Sequence, residues 1–177
     1  FGGNGVECLD FGRLPNTMYK TQTYDFIDAI VRGDGEITFT ELLKSDWTET
    51  SLMQIKGIVW KLNGVWIHNG FRPNIDMNIV PIPDFSSLED NFYYKSVYQD
   101  TIPIVMSRGC PFRCSFCSVP EYIPEYRYRT VENVLEEIKG WVAKGKKHFF
   151  CHDSIINGNP NWLKNLCERI IEEGLDI

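Results

Sequence analysis

The sequence predicts an α/β protein in two parts, and three observations carry that reading. Near the start, a β-leaning apolar run, Phe26-Ile27-Asp28-Ala29-Ile30-Val31, meets Arg32-Gly33-Asp34-Gly35-Glu36 and then a helical stretch from Ile37 to Leu43. Strand, glycine turn and helix form the repeating unit of a doubly wound sheet. From Thr101 onward the order is strand, loop, helix, strand, helix, which predicts parallel strands joined by right-handed crossovers. Between the two parts, Gly57-Ile58-Val59-Trp60-Lys61-Leu62 and Val65-Trp66-Ile67-His68 flank Asn63-Gly64. Asn-Gly between β-rich runs signals a hairpin, because both turn positions need positive φ.

The elements follow in order. Phe1-Gly2-Gly3-Asn4-Gly5 reads as the end of a strand entering a loop. In the first helix Glu36 sits in the opening turn, where a negative charge suits the dipole. After the hairpin, Arg72 to Asp84 contains Pro73, Pro81 and Pro83 and is expected to run extended, as a connector between domains. Ile102-Pro103-Ile104-Val105-Met106 reads as a buried strand, its proline near the start where a missing donor is tolerable. Thr130 caps a helix with Val131, Val134, Leu135, Ile138, Trp141 and Val142 on one face, and Gly145 closes it. Lys147 to Cys151 is the next strand. Asn161 to Glu173 is the last helix, with Trp162, Leu163, Leu166, Ile170 and Ile171 expected to face inward. The expected division is 1–50, 51–100 and 101–177.

Hydrophobic residues make up 43% of the 177 and charged residues 24%, the balance of a globular protein. The net charge is -6 and no basic stripe is concentrated anywhere, which excludes general nucleic-acid binding. No apolar run approaches the roughly 18 residues that span a bilayer. No basic, apolar, small-residue leader opens the sequence. The start at Phe1 and the finish at Gly174-Leu175-Asp176-Ile177 predict a segment of a longer chain. Six cysteines are too few for a disulfide scaffold, and three of them crowd together while Cys8, Cys151 and Cys167 are scattered. Clustered thiols point to metal in a reducing compartment, with the cytoplasm expected.

The crowded segment is Ser107-Arg108-Gly109-Cys110-Pro111-Phe112-Arg113-Cys114-Ser115-Phe116-Cys117. A closed four-iron cube takes four thiolates, and three on one short loop hold three irons. The next cysteine, Cys151, lies on an expected strand. An open metal position serves catalysis, whereas a structural site is closed. Gly109 would supply an unusual backbone angle and Pro111 stiffness. Arg108 and Arg113 either offset thiolate and sulfide charge or are plain surface arginines. Two rival readings stand beside this one. A structural zinc site would add His148, Cys151 or His152 to the three cysteines. An iron–sulfur electron-transfer protein would use Cys151 as its fourth thiolate.

The spacing of Cys110, Cys114 and Cys117, with Phe116 before the last, resembles the signature of the radical S-adenosylmethionine (SAM) superfamily. The resemblance implies a 4Fe-4S cluster on these cysteines whose open iron binds the amino and carboxylate groups of SAM. One electron from a low-potential donor then cleaves the sulfonium to a 5′-deoxyadenosyl radical. It also implies that Phe116 lies beside the adenine, the alternative being a core phenylalanine. Residues 101–177 would then be the first β/α units of a (β/α) barrel, with the cysteine loop on the catalytic face. His152, Asp153 and Ser154 fall on that same face. Where family members carry a Gly-Gly-Glu type motif for the cofactor's amino group, this sequence departs from it and offers Asp153 instead. His152 reads as a loop residue without a role.

Phe1-Gly2-Gly3, Val31-Arg32-Gly33-Asp34-Gly35-Glu36, the hairpin and Ile82-Pro83-Asp84-Phe85 ahead of the cysteines resemble the branch with an N-terminal cobalamin-binding domain. That implies residues 1–50 are the C-terminal part of a doubly wound cobalamin-binding-like domain. Gly33 and Gly35 would line the cobalamin tail or simply serve the turn. The Asp-x-His-x-x-Gly loop that ligates cobalt in some cobalamin proteins is absent from this sequence. The implied activity is cobalamin-dependent methyl transfer or related radical chemistry on a small molecule or peptide that the sequence does not identify. This segment alone is expected to be inactive.

Overall fold

The computed structural model describes residues 27–85, 101–123 and 125–177, so the expectations for the opening glycines and for Phe26 lie outside the described residues. The chain divides into two compact units between Ile75 and Asp76. Both are mixed α/β.

The first unit contains β1 (Ala29–Val31), α1 (Gly35–Lys44), α2 (Glu49–Gln54), β2 (Ile58–Leu62) and β3 (Val65–His68). The hairpin forms as expected: β2 and β3 pair antiparallel with Leu62 opposite Val65, and Asn63 and Gly64 take φ of 51° and 79°. The strand, turn and helix at 29–44 also form. Among the described residues β1 pairs antiparallel with β2, Ile30 opposite Val59. The reason lies in β2, which is apolar on both faces. Ile58 and Trp60 pack with Val31, Leu42, Leu52 and Ile55, while Val59 packs with Ile27 and Ile30. A strand buried on both sides is a central strand, and β1 and β3 serve as its two neighbours. Helix α2 was not anticipated. Its start is marked by Thr48, whose side chain accepts the Ser51 N–H at 3.3 Å.

The second unit follows the expected order more closely. Its strands are β4 (Thr101–Ile104), β5 (Ser107–Arg108), β6 (Arg127–Tyr128) and β7 (His148–Cys151), with α3 (Val119–Tyr122), α4 (Val131–Val142) and α5 (Pro160–Glu172). β4 and β7 are parallel, Ile104 opposite Cys151, with α4 on the crossover. Thr130 caps α4 by accepting the Asn133 N–H at 3.2 Å, and Gly145 ends its C-terminal turn at φ 81°. The core is Ile104, Met106, Val131, Val134, Leu135, Ile138 and Leu166. One expected core position is corrected: Ile171 is 77% exposed. Trp162, Leu166 and Ile170 recur at intervals of four and share a stripe, and Ile171 is turned about 100° from Ile170. Among the described residues no helix is long and apolar enough to cross a membrane.

Candidate metal and cofactor site

The cysteine loop leaves the C-terminal end of β4, and its base is fastened by a pairing that the sequence reading missed. β5 and β6 run antiparallel, Ser107 opposite Tyr128 and Arg108 opposite Arg127. Two residues each are too short to show any alternation. Gly109 follows at φ 81°, and a Cβ there would fall 2.4 Å from the Glu125 carbonyl oxygen. The unusual backbone angle expected at Gly109 is therefore present, and a close approach of two backbones adds to it. Beyond it Cys110 is half-buried, Cys114 and Cys117 are exposed, and all three are free thiols. The Cys117 N–H donates to the Cys114 carbonyl at 3.0 Å, a turn that places these two close along the loop. Phe116 is 91% exposed and takes no part in the core of the described residues. Arg113 is exposed as well, whereas Arg108 is held in β5.

Three thiols on one open loop match in number and chemistry what a four-iron cube with one free corner takes. The described residues contain no group of three His, Cys, Asp or Glu side chains placed to hold a single metal ion. A cube binds each thiolate through a different iron, so its ligands surround a cluster and do not converge on one point. Cys151, the fourth thiolate of one rival reading, is half-buried and packs against the core of the second unit. Burial pushes its thiol pKa up, and the negative charge of Asp153 pushes it further in the same direction. The ring of His152 meets Phe150 edge-on at 4.9 Å.

Asp153 lies just past β7 and reaches back to the start of the cysteine loop. Its Oδ1 accepts the Met106 N–H at 3.0 Å and also the Ser107 N–H. Its Oδ2 is buried and without a hydrogen-bond partner. Beside them stands Tyr126, which the sequence reading did not single out. A Cβ on Gly158 would fall 2.7 Å from its hydroxyl. Burial raises the Tyr126 pKa, the Ser107 hydroxyl pulls the other way, and Asp153, Tyr128 and Cys110 each raise it further. These groups gather polar atoms at the foot of the cysteine loop, Asp153 Oδ2 among them without a partner.

Behind the loop Arg129 and Glu137, 6% and 2% exposed, form a buried ion pair. Arg129 also donates from Nη1 to the Val105 carbonyl at 3.2 Å and from Nε to Asn133 Oδ1 at 2.5 Å. Its backbone N–H donates to the Met106 carbonyl at 2.9 Å, and the Trp162 indole N–H donates to the Arg129 carbonyl at 2.8 Å. Replacing such a pair by apolar groups is often neutral for stability, while breaking it is costly. Its clearest contribution is to hold the end of β4 against α4 and α5. A signal for it existed: Glu137 sits between Val134 and Trp141 on the apolar face of α4.

In the first unit Gly33 has φ 70° with open space where a Cβ would be, a backbone angle that favours glycine. Gly35 is the first residue of α1, and a Cβ there would make ordinary contact, 3.5 Å, with Val31 Cγ1.

The sequence pattern of the Radical SAM superfamily matches residues 104–176. That stretch belongs to the radical SAM superfamily. An uncharacterized methyltransferase of Pyrococcus horikoshii is 35% identical over 157 residues, covering 85% of this chain and 33% of the relative. An anaerobic magnesium-protoporphyrin IX monomethyl ester cyclase of Cereibacter sphaeroides is 31% identical over 157 residues, covering 85% of this chain and 25% of the relative. The chain thus spans a third or less of these relatives. Among solved structures, the radical SAM methyltransferase TsrM from Kitasatospora setae aligns with a TM-score of 0.65 at 23% identity. The alignment covers 85% of this chain and 30% of that one, and the likeness is one of fold. The radical SAM stretch begins at Ile104, the last residue of β4, and contains the cysteine loop, Tyr126, the Arg129–Glu137 pair and Asp153.

Proposed function

We propose that this chain is the cluster-bearing part of a radical SAM enzyme, with cobalamin-dependent methyl transfer as its reaction class. The observation that carries the reading is the loop of three free thiols after a parallel strand, inside a radical SAM stretch, with Cys151, the next cysteine in the sequence, packed against the core. When bound, a 4Fe-4S cluster supplies one-electron reduction of the SAM sulfonium. Cys110, Cys114 and Cys117 hold it. The exposed ring of Phe116 offers a face for the adenine. Asp153 Oδ2, buried and unpaired, is an acceptor suited to the cofactor's ammonium. In this reading β4, α4, β7 and α5 are the first β/α units of a barrel, and the chemistry lies at the C-terminal ends of the strands.

Cobalamin enters from the company the chain keeps. TsrM, similar in fold, has been solved with cobalamin and a [4Fe-4S] cluster bound. Residues 1–50 are then the end of a cobalamin-binding-like domain, with Gly33 and Gly35 beside the cobalamin tail. A low-potential electron donor in a reducing compartment and a small-molecule or peptide substrate complete the proposal. The test is anaerobic reconstitution of the whole protein with iron and sulfide. Alanine at Cys110, Cys114 or Cys117 is expected to abolish iron uptake, while Cys151→Ala retains it. Loss of the cluster in Cys151→Ala would favour electron transfer, and stoichiometric zinc without iron would favour a structural metal.

A further inference from the structure

We infer that Asp153 is a positioning residue for the cysteine loop, its Oδ1 fixing the backbone at the point where the loop leaves its strand. The inference deepens the proposed function and rests on it for the identity of the cluster. The chain after Ile104 stops pairing with β7 and must turn toward Cys110 within a few residues. At that turn the N–H groups of Met106 and Ser107 both point at one carboxylate oxygen. Met106 and Ser107 are buried, so water does not substitute for that acceptor, and an unsatisfied buried N–H is costly. The other faces of the turn are fastened separately. The Met106 carbonyl accepts the Arg129 N–H at 2.9 Å, and Gly109 passes against the Glu125 carbonyl. Asp153 is itself held where the chain leaves β7, since the His152 N–H donates to the Ile104 carbonyl at 2.9 Å. The carboxylate therefore ties the ends of two neighbouring strands together beneath the loop.

The two oxygens have separate duties. Oδ1 is committed to the backbone, and Oδ2, beside Tyr126 and Ser107 Oγ, is the one left for a ligand. Ligation of a metal depends on groups that orient the ligands without touching the metal, and Asp153 is such a group for Cys110.

Asparagine separates the two duties. In Asp153→Asn the amide oxygen still accepts both N–H groups, while the NH2 replaces Oδ2 and presents donors in place of an acceptor. Asp153→Ala removes both. Hydrogen exchange of the Met106 and Ser107 amides is measured on the cluster-free whole protein, and iron and sulfide per chain after anaerobic reconstitution. The expectation is exchange about ten-fold faster at both amides in Asp153→Ala, with iron retention reduced by a similar factor. In Asp153→Asn both readouts stay at the parent level, and only the response of the cluster's spectrum to SAM weakens. Unchanged exchange in Asp153→Ala, or an asparagine variant as impaired as the alanine one, overturns the positioning role. A parent protein that takes up no iron overturns the proposed function instead, and the exchange pattern still decides the role of Asp153.

Discussion

At the scale of single residues, Gly109 stands where a side chain does not fit. Gly109→Ala would place its Cβ 2.4 Å from the Glu125 carbonyl at a φ of 81°, so strain and collision combine. The expected result is a loss of iron uptake at least as deep as for a single cysteine variant. Iron content after reconstitution checks it. The thiols differ in exposure, and their reactivity should follow. With the cluster absent, a thiol-alkylating reagent is expected to label Cys114 and Cys117 before Cys151, because Cys151 is half-buried and its thiol pKa is pushed up. Mass spectrometry of timed samples reads the order. The same shift has a sign for stability. The folded chain holds the Cys151 proton more tightly than the unfolded chain does, so stability present below the ordinary thiol range is lost as pH climbs toward the raised folded value. Cys151→Ala should flatten that alkaline decline, which denaturation across a pH series would show. The special residues were unevenly legible in the sequence. Cys110, Cys114, Cys117 and Gly109 stood out because spacing and residue type carry their meaning. Tyr126 did not, because its position depends on Gly158 and Ser107, which are distant in sequence and adjacent only after folding.

At the scale of elements, periodicity and caps were reliable guides. The apolar face of α4 and its Thr130 cap are both present. Thr130→Ala is expected to cost the protein about 1 kcal/mol, seen in thermal or denaturant unfolding. Breakdown came where an element is too short for a period or is decided by its partner. β5 and β6 are two residues each, yet they fasten the base of the cysteine loop. The strand near Ala29 was correctly located, but its antiparallel partner was not evident, since a strand's sequence records burial and not direction. For Ile171 the residue type suggested burial, while the stripe through Trp162, Leu166 and Ile170 sets the face that packs, and Ile171 lies off it.

At the scale of the molecule, the parallel pairing of β4 with β7 followed from element order, while the chain divides between Ile75 and Asp76 and not at the expected bounds of 50 and 100. The hairpin, expected between the two parts, joins β1 in the three-stranded sheet of the first unit. The central claim is that the cluster held by Cys110, Cys114 and Cys117 keeps one iron free for SAM. The most direct measurement is the electron paramagnetic resonance spectrum of the reduced, reconstituted protein with and without SAM. A change in the signal on addition, absent when a SAM breakdown product replaces it, is the result expected here. A reduced four-iron signal that SAM leaves untouched would mean that every iron already has its ligand, with no corner open to the cofactor.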